Sequence, residues 1–235
     1  MPILSSGSDL LSRYPKPLLL GHRGAKTDAP ENTIEAFELA LQHGCDGFEF
    51  DVRLTADQQA VVCHDARPKR VEIAKAERGD LPKLPTLEDV LERFSHRAFL
   101  DIELKVPGLE RITLELLKQF RCARGCIVTS FLPEVLHEVH ARNVDVPIGL
   151  ICRNRMQLAP ASSLPLVSIV LHRSIVSREL TSSFRNRGIP VFVWGADSAS
   201  EMRSVVEAGA DALIIDDTRL AVEAFRTKAR AAGNP

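Results

Sequence analysis

Acidic residues occupy alternate positions in two short apolar stretches of the chain. Glu49 and Asp51 lie within Gly47–Val52, and Glu103 lies within Phe99–Leu104. Side chains two residues apart in a strand point to the same face of a sheet, so each stretch presents its carboxylates on one side. A solvated face would explain this pattern in a half-exposed strand. In a parallel sheet both faces are covered, and carboxylates grouped there require a cation.

A hard divalent ion is the cation that such a cluster favours. Neighbouring strands would bring Glu103 close to Glu49 and Asp51, and carboxylate oxygens are preferred ligands of Mg²⁺ and Ca²⁺. We therefore predict that these three residues bind one divalent cation, Mg²⁺ or Ca²⁺. Asp101 and Lys105 share the face of Glu103. An ordinary ion pair between Glu103 and Lys105 is the alternative explanation of the second stretch.

Two histidines directly follow apolar stretches. His22 ends the stretch Leu18–Gly21, and His64 ends the stretch Val61–Cys63. A histidine at the C-terminal edge of a strand is well placed for general acid or base catalysis. Each alone could equally be a structural histidine, but two beside a carboxylate cluster indicate catalysis. Arg23 is flanked by glycines, which would allow its guanidinium and the backbone to approach an anion such as phosphate.

Two further residues are candidates for the pocket wall. His172 follows the sixth predicted strand, so it could line the mouth of the site. Trp194, the only tryptophan, ends the seventh. It could form the floor beneath an apolar part of a substrate, or it could simply pack in the core.

Alternation of short apolar stretches with amphipathic ones predicts the scaffold that must position these residues. Such alternation indicates a parallel sheet covered by helices. Eight stretches each precede a helix, and they start at Leu18, Phe48, Phe99, Cys126, Pro147, Leu166, Val191 and Ala212. A short strand at Val61 pairs with one of them or extends the second. The count predicts an α/β fold, a single-domain (β/α)8 TIM barrel over residues 1–235 with its core at about 18–231. The alternative is a doubly wound open sheet, but no Gly-x-Gly-x-x-Gly motif follows the first strand.

Helix-capping patterns support two of the predicted helices. Asn32, with Glu35 three residues later, predicts the N-terminus of the first helix, and Gly44 predicts its end. Thr86, with Asp89 at the third helical position, predicts a helix that runs to Phe94. The segment 155–163 shows no clear preference.

The composition is that of an ordinary globular protein. The 235 residues include 30 Lys and Arg and 31 Asp and Glu, and a net charge of −1 does not favour nucleic-acid binding. No apolar run approaches the ~20 residues that span a bilayer, and Met1–Tyr14 lacks the pattern of a signal peptide. Five cysteines without a C-x-x-C pair are typical of reduced thiols. We therefore expect a cytoplasmic protein without stable membrane insertion.

An ordered set of motifs in the chain resembles the glycerophosphodiester phosphodiesterase family. The resemblance extends from about Leu18 to Asp216 and includes two stretches that look like the closing barrel strands, Val191–Trp194 and Gly209–Ile214. The more specific motifs are His22-Arg23-Gly24, Ala29-Pro30-Glu31-Asn32-Thr33, Phe48-Glu49-Phe50-Asp51-Val52, Thr55-x-Asp57, Val62-x-His64-Asp65 and Ile102-Glu103-Leu104-Lys105.

This resemblance implies a function and a role for each site residue. The family is a (β/α)8 barrel that hydrolyses glycerophosphodiesters to an alcohol and glycerol 3-phosphate with a divalent cation. By motif, the resemblance implies three metal ligands, Glu49, Asp51 and Glu103. It implies that His22 and His64 form the acid–base pair and that Arg23 and Lys105 contact the phosphate. It leaves open which histidine is the acid, whether water or a substrate hydroxyl attacks, which metal is native, and the oligomeric state.

Two departures from the family pattern concern substrate selectivity. The segment 66–84, which follows the second strand region, is shorter than usual, so we expect a reduced insertion and a poorly capped site. The sequence Gly195-Ala196-Asp197 stands where the family usually has Thr-x-Asn.

Three other functions are alternatives to hydrolysis of small glycerophosphodiesters. A lysophospholipase D-like phosphodiesterase would use the open site for a bulkier lipid substrate. A non-catalytic phosphate-binding barrel would be favoured by loss of a histidine or an acid, and none is lost. An isomerase or lyase with Lys105 as its base would leave the three carboxylates without a purpose.

Overall fold

Eight parallel strands close into a barrel in the computed structural model, which describes residues 10–231. The segment Met1–Tyr14, which lacks the pattern of a signal peptide, lies partly outside the described part of the chain, because residues 1–9 are not described. The strands are β1 (Leu18–His22), β2 (Gly47–Leu54), β3 (Ala60–Val62), β4 (Phe99–Leu104), β5 (Cys126–Ser130), β6 (Ile148–Cys152), β7 (Ser168–His172), β8 (Val191–Trp194) and β9 (Ala212–Ile215). All except β3 belong to the barrel, and β1 pairs with both β2 and β9. The predicted (β/α)8 fold is confirmed, and the eight strand starts differ from the prediction by at most two residues.

The short strand β3 adds to the barrel as a hairpin. It pairs antiparallel with the end of β2, where Val52 is opposite Val62. The sequence predicts that the strand at Val61 either pairs with another strand or extends β2, and it pairs with β2. The hairpin brings the chain back along β2, so His64 follows β3 close to the barrel mouth.

Seven α-helices occur in the described part of the chain, mostly between successive strands. They are α1 (Ile34–His43), α2 (Leu87–Phe94), α3 (Glu110–Gln119), α4 (Pro133–Arg142), α5 (Arg178–Arg185), α6 (Ala199–Glu207) and α7 (Thr218–Ala231). The capping box of Thr86 and Asp89 at the start of α2 forms as predicted. The ambiguous segment after β6 forms a 3₁₀ helix over Arg155–Ser162.

The predicted N-cap of the first helix is wrong by one residue. Thr33 caps α1, and its hydroxyl accepts a hydrogen bond from the backbone N–H of Ala36. Asn32 has a left-handed backbone with φ of 58°. Its buried side chain bonds Asp51 instead, so it is used by the barrel rather than by the helix.

Strand alternation separates the core into two layers. Leu18 and Leu20 of β1 pack inside the barrel, whereas Leu19 packs outward against the helices. Tyr14 also belongs to the inner layer and contacts the edge of the Phe99 ring, so the interior is filled near the N-terminal ends of the strands. Polar inward-facing residues therefore have room only at the other end, where TIM-barrel active sites are built.

Strand register determines which polar side chains meet at that end. Asp51 of β2 is paired with Glu103 of β4, and Glu49 is paired with Asp101. His22 of β1 is paired with Glu49 from the other side. The neighbouring strands β1, β2 and β4 thus place these polar residues on one side of the barrel mouth.

Two further observations concern membranes and thiols. Among residues 10–231, no helix combines the length and the apolar character needed to cross a bilayer. All five cysteines are free thiols.

Candidate active site

The three predicted carboxylates converge at the C-terminal end of the barrel. Glu49, Asp51 and Glu103 are all buried, and one oxygen atom from each lies within 4.8 Å of the others. Glu49 and Asp51 come from β2 and Glu103 from β4, as alternation along the strands requires. The apolar residues between them, including Phe48 and Phe50, pack outward against the helices.

Two cationic side chains border this cluster. Lys105 Nζ lies 2.6 Å from Glu103 Oε1 and 3.1 Å from Asp51 Oδ1. Arg23 Nε lies 3.2 Å from Asp51 Oδ2, and the Arg23 guanidinium also pairs with Glu31 at 2.9 Å. The Glu103–Lys105 ion pair that was the simpler explanation is therefore present. It exists within the larger cluster rather than in place of it.

Asn32 holds Asp51 in its orientation, a role that the sequence did not reveal. Its side-chain amide donates to Asp51 Oδ2 at 2.8 Å, and its carbonyl accepts from the Asp51 backbone N–H at 3.2 Å. The two bonds together fix one oxygen of the carboxylate and the backbone that carries it. The remaining oxygen, Oδ1, faces Lys105.

Burial and charge act differently on the three carboxyl groups. Burial raises the pKa of Glu49 well above its usual range, and the Asp51 and Glu103 charges raise it further. Burial likewise raises the pKa of Glu103 to about 7, against the opposing effect of Lys105. For Asp51, Lys105 and Arg23 outweigh burial and lower the pKa. Three ionised carboxylates are thus costly here without an additional cation.

These residues fit a divalent metal ion. The donors are all carboxylate oxygens, which is the chemistry that Mg²⁺ and Ca²⁺ prefer. Glu49 Oε1 is buried and has no hydrogen-bond partner among residues 10–226. A buried charged oxygen without a partner is costly, and coordination of a cation would satisfy it.

A fourth carboxyl group, Asp101, lies on the same face. It is buried, it accepts a hydrogen bond from Thr129 Oγ1 at 2.6 Å, and its Oδ2 has no partner among the described residues. Burial raises its pKa to about 7. Alternation along β4 places Asp101 on the same face as Glu103, but the sequence alone predicts no role for it.

The imidazole of His22 is oriented by a residue that the sequence did not single out. His22 Nδ1 lies 2.6 Å from Asp216 Oδ1, and Lys26 Nζ lies 2.7 Å from Asp216 Oδ2. His22 Nε2 lies 3.9 Å from Glu49 Oε2. Burial lowers the pKa of His22, while its hydrogen bond to Asp216 opposes that effect. Asp216 directly follows β9, so a polar residue at a strand end was the signal that could have identified it.

His64 enters the site from the hairpin that β2 and β3 form. Its side chain is 36% exposed, and its Nδ1 lies 2.9 Å from Asp65 Oδ1. The Arg53 Nε group donates to the His64 carbonyl at 2.8 Å, which ties this loop to the end of β2. His64 and His22 both line the same cavity, and so does Glu49.

This cavity has a polar side and an apolar side. It measures about 310 Å³ and is lined by His22, Arg23, Glu49, His64, Asp101, Glu103, Lys105, Phe131, Ile151, Arg153, Val170, Trp194 and Ile214. Trp194 belongs to the wall, as one of the two interpretations of this residue required. His172 is not among the lining residues, and its ring packs against Trp194 with the centroids 4.5 Å apart.

Buried carboxylates, two histidines and cationic side chains thus meet at the mouth of a TIM barrel. Residues 22–220 match the model of the glycerophosphoryl diester phosphodiesterase family, and the chain belongs to that family. It is therefore a phosphoric diester hydrolase that acts on glycerophosphodiesters.

Individual proteins agree with this assignment over almost their whole length. A glycerophosphodiester phosphodiesterase of Caldanaerobacter subterraneus subsp. tengcongensis is 29% identical over 239 residues, which cover 90% of this chain and 98% of the relative. The crystal structure of a glycerophosphodiester phosphodiesterase from Thermotoga maritima is 28% identical, has a TM-score of 0.79, and matches 90% of this chain and 99% of its own. A phosphodiesterase of Oleispira antarctica, solved in complex with the product sn-glycerol-3-phosphate, shares the fold with a TM-score of 0.83 at 24% identity, over 92% of this chain and 98% of that chain.

Proposed function

We propose that the protein hydrolyses small glycerophosphodiesters to an alcohol and glycerol 3-phosphate with one divalent cation, Mg²⁺ or Ca²⁺. Glu49, Asp51 and Glu103 would hold the cation. When bound, the ion would polarise the phosphoryl group and offset its developing negative charge. The observation that carries the proposal is the convergence of these three buried carboxylates beside a cavity that Glu49, Glu103 and two histidines line, with Glu49 Oε1 lacking a partner among the described residues.

Arg23 and Lys105 bind and orient the phosphate in this proposal. Both line the cavity, and both are held in place by carboxylates rather than extended into solvent. Cationic groups fixed beside a phosphoryl group stabilise the charge that develops on its oxygens, without reorganising during the reaction. Asn32 contributes by fixing Asp51, to which both cations are bound.

His22 and His64 exchange the two protons of the reaction. One removes the proton from the attacking hydroxyl, and the other protonates the alkoxide that leaves when the P–O bond breaks. With Nδ1–H of His22 donated to Asp216, Nε2 is the atom available for exchange in the cavity. The Asp65 carboxylate occupies the equivalent position beside His64 Nδ1.

The direct test is hydrolysis of glycerophosphocholine by the purified protein, before and after removal of metal. We expect glycerol 3-phosphate and choline in the presence of Mg²⁺ or Ca²⁺, loss of turnover in excess chelator, and recovery when either ion is restored. Undiminished turnover by protein that metal analysis shows to be empty would disprove the metal requirement. The absence of turnover on any glycerophosphodiester would favour the non-catalytic phosphate-binding barrel.

A lysophospholipid is the second candidate substrate, and the apolar wall of the cavity favours it. Phe131, Ile151 and Trp194 form part of this wall, and they could contact an acyl-bearing glycerol. Release of choline from lysophosphatidylcholine, compared with release from glycerophosphocholine, distinguishes the two. We expect kcat/KM to be higher for glycerophosphocholine, because a cavity of about 310 Å³ encloses little of an acyl chain.

A further inference from the structure

Arg153 lies across the barrel mouth from the catalytic cluster. It directly follows β6, and it lines the same cavity as His22 and Lys105. The strand order places β6 four positions from β1 in the eight-stranded barrel, which is the opposite side. Arg153 is two residues beyond Ile151, so both side chains face the interior of the mouth.

Arg153 differs from the other two cations of the cavity because no carboxylate in the described part of the chain pairs with it. Arg23 pairs with Glu31 and Asp51, and Lys105 pairs with Asp51 and Glu103. Among the side chains of residues 10–226, none forms an ion pair or a hydrogen bond with the Arg153 guanidinium. The guanidinium is therefore available to an anion that enters the cavity.

The backbone at this position is nevertheless fixed. The Arg153 N–H donates to Gln157 Oε1 at 2.7 Å, and Asn154 caps the 3₁₀ helix that follows. Arg153 and Arg173 both act electrostatically on His172. Arg173 is paired with Glu201 at 3.1 Å, whereas Arg153 has no ion-pair partner among the described side chains. An anchored backbone with a free cationic side chain is a suitable arrangement for binding a ligand.

A path leads along the cavity wall from the phosphate side to Arg153. Phe131 follows β5, which lies between β4 and β6, and Lys105 Nζ is 5.8 Å from its ring centroid. An alcohol whose phosphate is held by Arg23 and Lys105 would extend past Phe131 toward Arg153. A guanidinium at that point matches a carboxylate, since it can donate two parallel hydrogen bonds to it.

We infer that Arg153 binds an anionic group on the alcohol portion of the substrate. Resting on the proposed phosphodiesterase function, this inference names its preferred substrates, which are glycerophosphodiesters of an alcohol that bears a carboxylate. Neutral or cationic alcohols would lack this contact and would be hydrolysed less efficiently.

Glycerophosphoserine and glycerophosphoethanolamine provide the test, because they differ by one carboxylate. In the wild-type protein we expect kcat/KM for glycerophosphoserine to exceed that for glycerophosphoethanolamine by at least tenfold, about 1.4 kcal/mol. In Arg153→Gln the ratio should fall close to one, and in Arg153→Lys it should be intermediate. Arg155→Gln is the matched control, since Arg155 is also exposed but does not line the cavity, and it should keep the wild-type ratio.

The possible results separate this inference from the function on which it rests. A wild-type ratio near one would overturn the inference alone. Equal losses for both substrates in Arg153→Gln, with a melting temperature like that of the wild type, would overturn it too, because the guanidinium would then contact the phosphodiester itself. If the wild-type protein with a divalent ion hydrolysed neither substrate, the proposed function would fail, and the inference with it.

Discussion

His22 Nδ1 and Asp216 Oδ1 lie 2.6 Å apart, across the seam where β1 meets β9 and the barrel closes. The carboxylate holds the ring so that Nε2 points toward Glu49. A group that binds a histidine in this way favours one tautomer and stabilises the imidazolium form. Asp216 is therefore expected to act through His22 as a positioning residue.

Replacing Asp216 with Asn should lower kcat by about 10- to 100-fold, comparable to the loss of orienting contacts at other histidine sites. It should also shift the His22-dependent limb of the pH–rate profile to lower pH, because the bond to Asp216 raises the pKa of His22. A pH series of kcat measures both effects. The exposed control Asp145→Asn should change neither, and an unshifted profile in Asp216→Asn would contradict the assignment.

Glu49→Gln and Glu103→Gln should each abolish turnover while the barrel stays folded. Both changes keep the shape of the side chain and replace a buried ionisable carboxyl group by a neutral amide, so the melting temperature of the chelated protein should not fall. The rise in melting temperature that Mg²⁺ or Ca²⁺ produces in the wild type should be lost, since ligand binding to the folded state stabilises it. Glu115→Gln, at an exposed surface ion pair, should retain both the rise and the activity.

Removing either cavity-lining histidine should slow the reaction strongly. We expect His22→Ala and His64→Ala each to reduce kcat by roughly 10²–10⁴-fold or more, the usual range for general acid–base groups. His96 is exposed and does not line the cavity, so His96→Ala should retain nearly full activity. Wild-type turnover in His64→Ala would mean that another group completes the acid–base pair.

The metal-free protein should become less stable as the pH rises from about 4 to about 7. Burial raises the pKa of Asp101 to about 7, whereas an aspartate in an unfolded chain titrates near ~3.9. The folded state therefore binds this proton more tightly, and the free energy of unfolding falls between about pH 4 and 7. Urea denaturation across this range should show a smaller fall for Asp101→Asn. Glu103, whose pKa is also about 7, and Glu49, whose pKa burial raises well above its usual range, would account for the remainder.

Substrates whose alcohols carry no additional anionic group should be hydrolysed with similar efficiency. The basic residues Arg67, Lys69 and Arg70 are exposed and do not line the cavity, so they add no contact there. Across glycerophosphocholine, glycerophosphoethanolamine, glycerophosphoglycerol and glycerophosphoinositol, kcat/KM should vary within about tenfold, ~1.4 kcal/mol. A preference of several orders of magnitude for choline or ethanolamine would show that another loop recognises the head group.

Strand alternation was sufficient to predict much of the candidate site. The positions of Glu49, Asp51 and Glu103 follow from a period of two along buried strands, and the convergence of these residues follows from the barrel. Trp194 and His172 show the limit of this reasoning. His172 ends β7 and Trp194 ends β8, both at the same edge of the barrel. Only Trp194 lines the cavity, and the two rings pack against each other.

Contacts that depend on loop backbone could not be predicted in the same way. Asn32 has the sequence pattern of an N-cap, and only its left-handed φ of 58° reveals that its side chain turns to Asp51. The pairing of Asp216 with His22 joins residues 194 positions apart, and it requires the closed barrel. That Arg153 has no carboxylate partner in the described part of the chain depends equally on which residues lie nearby in space.

The segment 66–84 folds around an apolar cluster of its own. Ile73, Ala76 and Leu81 pack with Val61 and Cys63, separately from the two layers of the barrel core. Because Cys63 directly precedes His64, the packing of this segment also holds the backbone from which that histidine enters the cavity. Since no residue of 66–84 lines the cavity, exchange of this segment would act on the reaction through the placement of His64 rather than through contacts with the substrate.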